Sequence, residues 1–204
     1  MLIEINPLFI LADGRCLLGD AKLVLDANAL SRQPRIESLL EDRSVDYPEA
    51  TLKKRHGFDF IVTDPAGTVG LLTTGAGLSM MLCDELHARD LRPYNFCDIR
   101  TGGLRDDPQR LIDVLDWVCS GSRTQVILVN IFAGITDLAV FGTLLVQALE
   151  QMPAPVLPVV ARLIGPNADQ ATGILARSPF DIRVYPDLGP ALDAVEQQLG
   201  EDNP

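Results

Sequence analysis

The stretch QVILVNIFAGITDLAVFG, residues 125–142, decides the fold. A run of β-branched and apolar residues with strand character passes through Asn130 and reaches Ala133-Gly134. It then continues with the spacing of an apolar helix. A buried strand that ends in small residues and opens into a helix is the βα unit of an open α/β sheet. Ligands bind such sheets at the carboxyl ends of the strands. A helix start placed there offers free N–H groups and the positive end of a dipole, so the expected ligand is an anion.

The pattern repeats on both sides of this stretch. FDFIVTD, GTVGLLTTGAG, PYNFCDI, PVLPVVARLIG and FDIRVYP read as strands. LSMMLCDELHARD, QRLIDVLDWVCSG, AGITDLAVFGTLLVQALEQM, NADQATGILARS and DLGPALDAVEQQLG read as helices. Alternation at this spacing predicts a mainly parallel sheet with helices on both faces over residues 57–200. Residues 1–30 read differently: two strands around Ala12-Asp13-Gly14, a hairpin that is marginal alone. Residues 31–56 are charged and poor in apolar side chains. They predict a linker with two short helices, one before and one after Tyr47-Pro48.

The chain has 204 residues, 47% of them hydrophobic, enough for a full core without staples. Seventeen basic against 28 acidic residues give a net charge of −11, which disfavours nucleic acid and anionic membranes as partners. The apolar runs are too short and interrupted for a membrane span. No basic n-region precedes an apolar segment, so a cytoplasmic protein is expected. Cys16, Cys83, Cys97 and Cys119 form no C-x-x-C pair and read as reduced thiols, mostly buried. Cys83 and His87, four apart on a helix, do not close a zinc site. His56 and His87 read as surface residues, and Trp117 as core.

Three loops carry the candidate chemistry. Gly75-Ala76-Gly77 and Ala133-Gly134 follow strands, and Arg100-Thr101-Gly102-Gly103 follows a third. Each meets the backbone needs of a tight turn, and together at one sheet edge they suit an anion cradle. Neither nucleotide-binding glycine signature is present. In the first strand, alternation puts Glu4 and Asn6 on one face, and the hairpin can bring Asp20 opposite. Such hard oxygen donors suit Mg²⁺, which takes one or two carboxylates and keeps waters and phosphates. The plainer reading is a solvated polar edge.

Six segments occur in an order that resembles a known family: EINPL, LGDAK, DANALSRQP, GAGLSM, NFCDI with a following GG, and ILVNIFAGI. They are similar to the carboxyl-terminal half of the β subunit in the succinyl-CoA synthetase family, whose superfamily includes ATP-citrate lyase and malate–CoA ligase. The resemblance runs from Glu4 to about Leu192. It implies a flavodoxin-like domain over 57–200, preceded at 1–30 by the closing hairpin of an ATP-grasp domain. It further implies an acid–CoA ligase of the tricarboxylic acid cycle type, which couples ATP or GTP hydrolysis to acyl-CoA formation. The route runs through an acyl phosphate and a phosphohistidine. The histidine and the CoA site belong to an α-type partner subunit. Asn6 and Asp20 match the Mg²⁺ ligands, and Glu4 matches the glutamate that faces the phosphohistidine. Ala133 and Gly134 match the turn whose helix holds it. Thr74, Gly75, Gly77, Arg100, Gly102 and Gly103 match the loops near the small organic acid. The nucleotide itself belongs mainly to a lobe this sequence lacks, so the chain alone is expected to be inactive; a homodimer is left open.

Three matched turns depart from the family pattern. Thr74 replaces asparagine, Arg100 and Thr101 stand where glycine begins the GGG loop, and Ala133 replaces the first glycine of GGI. Asp137-Leu138-Ala139 follows where Arg-Cys-Asp is usual. Those changes support a rival expectation, a non-catalytic paralogue that binds an α-type partner as a scaffold or regulator.

Overall fold

The computed structural model describes residues 2–46, 57–100, 107–153 and 155–201. The chain divides into two compact units, Met1–Thr51 and Leu52–Pro204.

In the first unit the chain folds back on itself at Gly14, where φ is +81°. Strand β1 (Leu2–Ile5) pairs antiparallel with β4 (Ala21–Val24), and β2 (Leu8–Ile10) with β3 (Cys16–Leu18). Both pairs share one register, and Gly19 N–H to Pro7 O continues it across the break. Pro7 has no N–H to give, so the ladder is interrupted there. Leu2, Ile3, Leu8, Phe9, Ile10, Leu17, Leu18 and Leu23 are each about half exposed or more. A 3₁₀ turn, Ala27–Arg32, and helix α1 (Pro34–Glu41) complete the described part of the unit. Pro34 opens α1, the position where a missing N–H costs nothing. The helix expected after Tyr47-Pro48 falls outside the described residues.

The second unit is an α/β sheet flanked by helices. Its strands are β5 (Asp59–Val62), β6 (Val69–Thr73), β7 (Asn95–Asp98), β8 (Val126–Phe132), β9 (Val159–Ile164) and β10 (Ile182–Val184). Strands β10, β9, β8 and β6 form a parallel sheet in that order. β7 lies beside β6, joined to it in part by a side chain. The Asn95 carboxamide accepts from Leu71 N–H and donates to Leu71 O, both at 2.9 Å, taking the place of a backbone partner. Tyr94 N–H to Val69 O and Ile99 N–H to Thr73 O secure the two ends. β5 then closes the edge antiparallel to β7. From β6 onward the spatial order is second, first, third, fourth, fifth, the flavodoxin-like winding.

The helices are α2 (Ala76–His87), α3 (Gln109–Cys119), α4 (Leu138–Glu150), α5 (Ala168–Ala176) and α6 (Leu188–Glu201). Alternate residues of β8 face opposite ways. Ile127, Val129 and Ile131 pack with Leu111, Leu115, Phe141 and Ala171 from α3, α4 and α5. Val126 and Leu128 pack with Leu82 and Leu86 of α2 and with Leu192 and Val195 of α6. Two sealed cores, one per face, therefore hold the sheet rigid beneath the turns at its carboxyl edge. No helix among the described residues is long and apolar enough to cross a membrane.

One element differs from expectation. The helix read as starting at Ala133 begins at Leu138. Ala133 and Gly134 belong to the loop before it, because Asp137 caps the helix and fixes its first turn. The thiols are all free, as expected, but Cys16 is exposed and only Cys97 fully buried. Trp117 is half-buried and meets Phe60 edge-on, ring centroids 5.4 Å apart.

Candidate functional site at the carboxyl edge of the sheet

The winding reverses between β6 and β8, and a crevice at such a reversal is where this architecture takes ligands. Thr74 leaves β6 there and crosses to the next strand. Its hydroxyl accepts from Phe132 N–H at 3.2 Å and lies 3.3 Å from Phe132 O, so it pins the two loops together.

The α2 turn is built to stay open. Gly75 sits at φ +84°, a conformation that penalises any side chain. Its N–H donates to Asp98 Oδ1 at 2.8 Å, which ties the turn to the end of β7. The Thr73 hydroxyl meets the Ser79 hydroxyl and the Cys97 carbonyl, anchoring the first turn of α2 from below. No side chain among the described residues caps the helix. A Cβ on Gly75 or Gly77 would meet nothing within 4 Å, so no described residue covers the surface over the first N–H groups.

The α4 turn is built the other way. Asp137 Oδ1 accepts from Ala139 N–H at 2.8 Å and from Val140 N–H at 3.4 Å. Its other oxygen accepts from Asn167 Nδ2 at 2.8 Å. The carboxylate thus fills the helix start with its own charge. Ala133 is buried and Gly134 exposed just before this turn. Gly165 passes beneath at φ +149°, where a Cβ would collide with the Ala133 carbonyl.

Arg100 lies at the end of β7 with φ +47°, a left-handed conformation uncommon for arginine. Its N–H donates to Asp98 Oδ1 at 3.1 Å. Its guanidinium reaches Asp59 Oδ2 at 2.6 Å. Arg110, held to Gly57 O at 3.0 Å, has its pKa lowered by burial and then by the charge of Arg100. Thr101, Gly102 and Gly103 lie outside the described residues, as do Asp106 and His56. His87 is exposed in the last turn of α2. Burial pushes the Cys97 thiol up to about 12, so it is an inert neighbour of the turn.

In the ribbon, the register sets Asn6 across from Asp20 at the break and pairs Glu4 with Lys22. All four are exposed, and Asp20 Oδ1 accepts Ala21 N–H at 2.8 Å. No group of three or more His, Cys, Asp or Glu among the described residues could hold a metal alone. Two oxygen donors fit Mg²⁺ only if water and phosphate complete the shell.

The residues that sequence reasoning passed over are Asp98, Asp59 and Asp137. Thr136-Asp137 ahead of an apolar run is a capping signal that would have moved the helix start. Nothing local announces that Asp98 holds the N–H groups of both Gly75 and Arg100.

Comparison with known proteins adds to this geometry. The CoA-ligase family model matches residues 72–186. The β subunit of succinate–CoA ligase (ADP-forming) from Glaesserella parasuis is 35% identical over 181 residues, which are 89% of this chain and 45% of that protein. The same subunit from Chloroflexus aurantiacus is 36% identical over 178 residues, 87% of this chain and 45% of that one. That from Francisella tularensis is 31% identical over 199 residues, 98% and 50%. The chain spans about half the length of the curated relatives it matches. Among solved structures, an ATP citrate lyase from Methanosaeta concilii in complex with (3S)-citryl-CoA aligns with a TM-score of 0.63 at 19% identity, covering 89% of this chain and 51% of that one. ATP citrate lyase from Methanothrix soehngenii, with citrate and coenzyme A, gives 0.55 at 20% identity, covering 67% and 40%.

Proposed function

Because the chain belongs to the CoA-ligase family, we propose that it is the β-subunit-type part of a cytoplasmic acid–CoA ligase that turns a nucleotide triphosphate, an organic acid and CoA into an acyl-CoA. The observation that carries this reading is the uncapped α2 start at the reversal of the sheet. Thr74, Gly75 and Gly77 form the edge that receives the acid, and Arg100, Gly102 and Gly103 are assigned to the same acid. Free N–H groups there stabilise negative charge as it moves between carboxylate and phosphoryl oxygens, without reorganising at the moment of transfer. Ala133 and Gly134 border the path of the phosphoryl group.

An α-type subunit supplies the phosphohistidine and the CoA site. Exposed Phe132 (61%) and Ile135 (93%) at this edge give such a partner an apolar surface to cover. Glu4 meets the phosphohistidine at the nucleotide end. Asn6 and Asp20 would hold Mg²⁺, which when bound screens the charge of ATP or GTP phosphates; the nucleotide contacts belong to the half of the relatives that this chain does not span. The test is reconstitution of this chain with an α-type subunit and a nucleotide-binding half, followed by thioester formation across a panel of acids. Acyl-CoA formation that needs all components is expected, with none from this chain alone. No thioester from any acid in a fully assembled complex would overturn the reading.

One observation favours a second reading, a non-catalytic scaffold or regulator of an α-type partner. Asp137 places a carboxylate at the α4 start, against the phosphoryl group the first reading brings there. Tight α-type binding with no thioester formation in the complete assembly would select it.

A further inference from the structure

Two turns leave neighbouring strands in the left-handed region, Gly75 after β6 at φ +84° and Arg100 after β7 at φ +47°. Both point a backbone N–H at one atom. Asp98 Oδ1 accepts from Gly75 at 2.8 Å and from Arg100 at 3.1 Å. Asp98 is the last residue of β7 and is 9% exposed. The strand end that carries it is fixed. Ile99 N–H donates to Thr73 O at 2.9 Å, and the Ser79 hydroxyl donates to the Cys97 carbonyl. One carboxylate oxygen on a fixed strand end thus locates two turns that belong to different strands.

The first N–H groups of a helix have no partner inside it. In α2 the ladder closes only at Ser79, whose N–H donates to Gly75 O at 3.1 Å. Asp98 takes the N–H of Gly75 and so sets the direction of the turn. Those of Ala76, Gly77 and Leu78 remain for the anion of the proposed reaction. Hydrogen bonding alone does not call for a carboxylate, because an amide oxygen would accept the same two N–H groups. The charge also has a cost. Asp59 stands directly opposite Asp98 in the pairing of β5 with β7, and like charges so placed repel. Arg100 Nη2 engages Asp59 at 2.6 Å, and the Arg110 guanidinium feels the charge of Asp98, so two cations offset that repulsion. What the charge adds is a fixed negative neighbour for whatever anion the α2 turn receives. It opposes the bound anion and eases its departure.

We propose that Asp98 is a positioning residue of the ligase: its oxygen aims the α2 N–H groups at the anion, and its charge keeps that anion from being held too tightly for turnover. The assignment rests on the acid–CoA ligase reading.

Two substitutions separate the two roles. Asp98→Asn keeps the acceptor and removes the charge, whereas Asp98→Ala removes both. Inorganic phosphate is titrated into each purified chain and followed through the amide resonances of Ala76, Gly77 and Leu78. Asp98→Asn should bind phosphate about threefold tighter than wild type or more. Asp98→Ala has the same charge as Asp98→Asn and should bind about tenfold weaker than it or more. Equal affinity in the two variants, or weaker binding by Asp98→Asn than by wild type, would overturn the proposal. In the reconstituted ligase Asp98→Ala should lower kcat about tenfold or more, and Asp98→Asn should restore it. Melting curves set a purely structural role apart: that role lowers the melting temperature of Asp98→Ala and leaves kcat per folded molecule unchanged, a result that also overturns the proposal. Failure of the broader reading looks different. A wild-type assembly that forms no thioester, with the phosphate contrast between the variants intact, keeps Asp98 as the organiser of the anion site and removes the enzyme. An active wild-type assembly in which both variants share one kcat keeps the enzyme and removes the positioning role.

Discussion

The turn after β6 and the turn after β8 leave the same edge of one sheet on neighbouring strands, yet they end in opposite electrostatic states. The first opens into α2 through Gly75, with no cap and clear space above its N–H groups among the described residues. The second opens into α4 through Asp137, whose carboxylate occupies the N–H groups of Ala139 and Val140. Position in the fold alone does not make an anion site. What fills the first turn decides it, and here a single residue separates a receptive helix start from a self-neutralised one.

The largest expected effect breaks the frame that holds the first turn. Asn95→Ala removes the two side-chain hydrogen bonds that bridge the middle of β7 and β6 and strands the N–H and C=O of Leu71 in the core. Urea denaturation should show a loss of about 2–4 kcal/mol. Asp98 should move with β7 and release Gly75, while the α4 turn, hung from β8 and β9, stays as it is. A loss under about 1 kcal/mol would mean that backbone pairing or water replaces the side chain.

Asp137→Ala inverts the second turn. Loss of the cap should cost about 1 kcal/mol in thermal or urea unfolding. The same change should make α4 receptive, so that added sulfate or phosphate recovers part of the loss in the variant and adds less to wild type. Equal anion stabilisation of both proteins would count against the contrast between the turns.

Arg100→Gly probes the shoulder of the first turn. Glycine suits φ +47°, and the ion pair it removes is between groups 57% and 24% exposed, worth little. The net change should stay within about 1 kcal/mol of zero, and Arg100→Ala should be the less stable of the two. A large loss in the glycine variant would assign the Asp59 contact a structural weight that its exposure argues against.

Much of this architecture is legible from the sequence, because buried strands such as VILVNIF and VVARLI announce themselves by composition and helices by spacing. The glycine turns are legible for the same reason: Gly75 answers a backbone need that shows as a residue type. What stays hidden is what depends on register and side-chain reach. Asn95 looks like one polar residue at a strand start, not the bridge between β6 and β7. Asn130 and Arg162 interrupt two apolar runs, and only the pairing of β8 with β9 shows that they stand side by side. Asp137 was readable as a cap, but the apolar Ile135 before it blends into the helical pattern and pulls the apparent start forward. Asn6 and Asp20 illustrate the remaining limit: the register sets them across from each other, and two exposed oxygen donors do not by themselves make an ion site.

A smaller effect concerns Cys97, whose carbonyl anchors the first turn of α2. Its thiol, raised to about 12 by burial, stays neutral through the ordinary pH range and should resist alkylation until that edge opens. Cys16, exposed in the ribbon, should label at once. In Asn95→Ala the Cys97 labelling rate should rise relative to wild type; an unchanged rate would show that β7 stays shut without its bridge.

The central claim is that this CoA-ligase chain receives an anion at the α2 turn and excludes one from the α4 turn. A titration of the purified chain with inorganic phosphate, followed through backbone amide resonances, tests it most directly. The account predicts saturable shifts at Ala76, Gly77 and Leu78 and none at Ala139 and Val140. Shifts at Ala139 and Val140 with a silent α2 turn would contradict it.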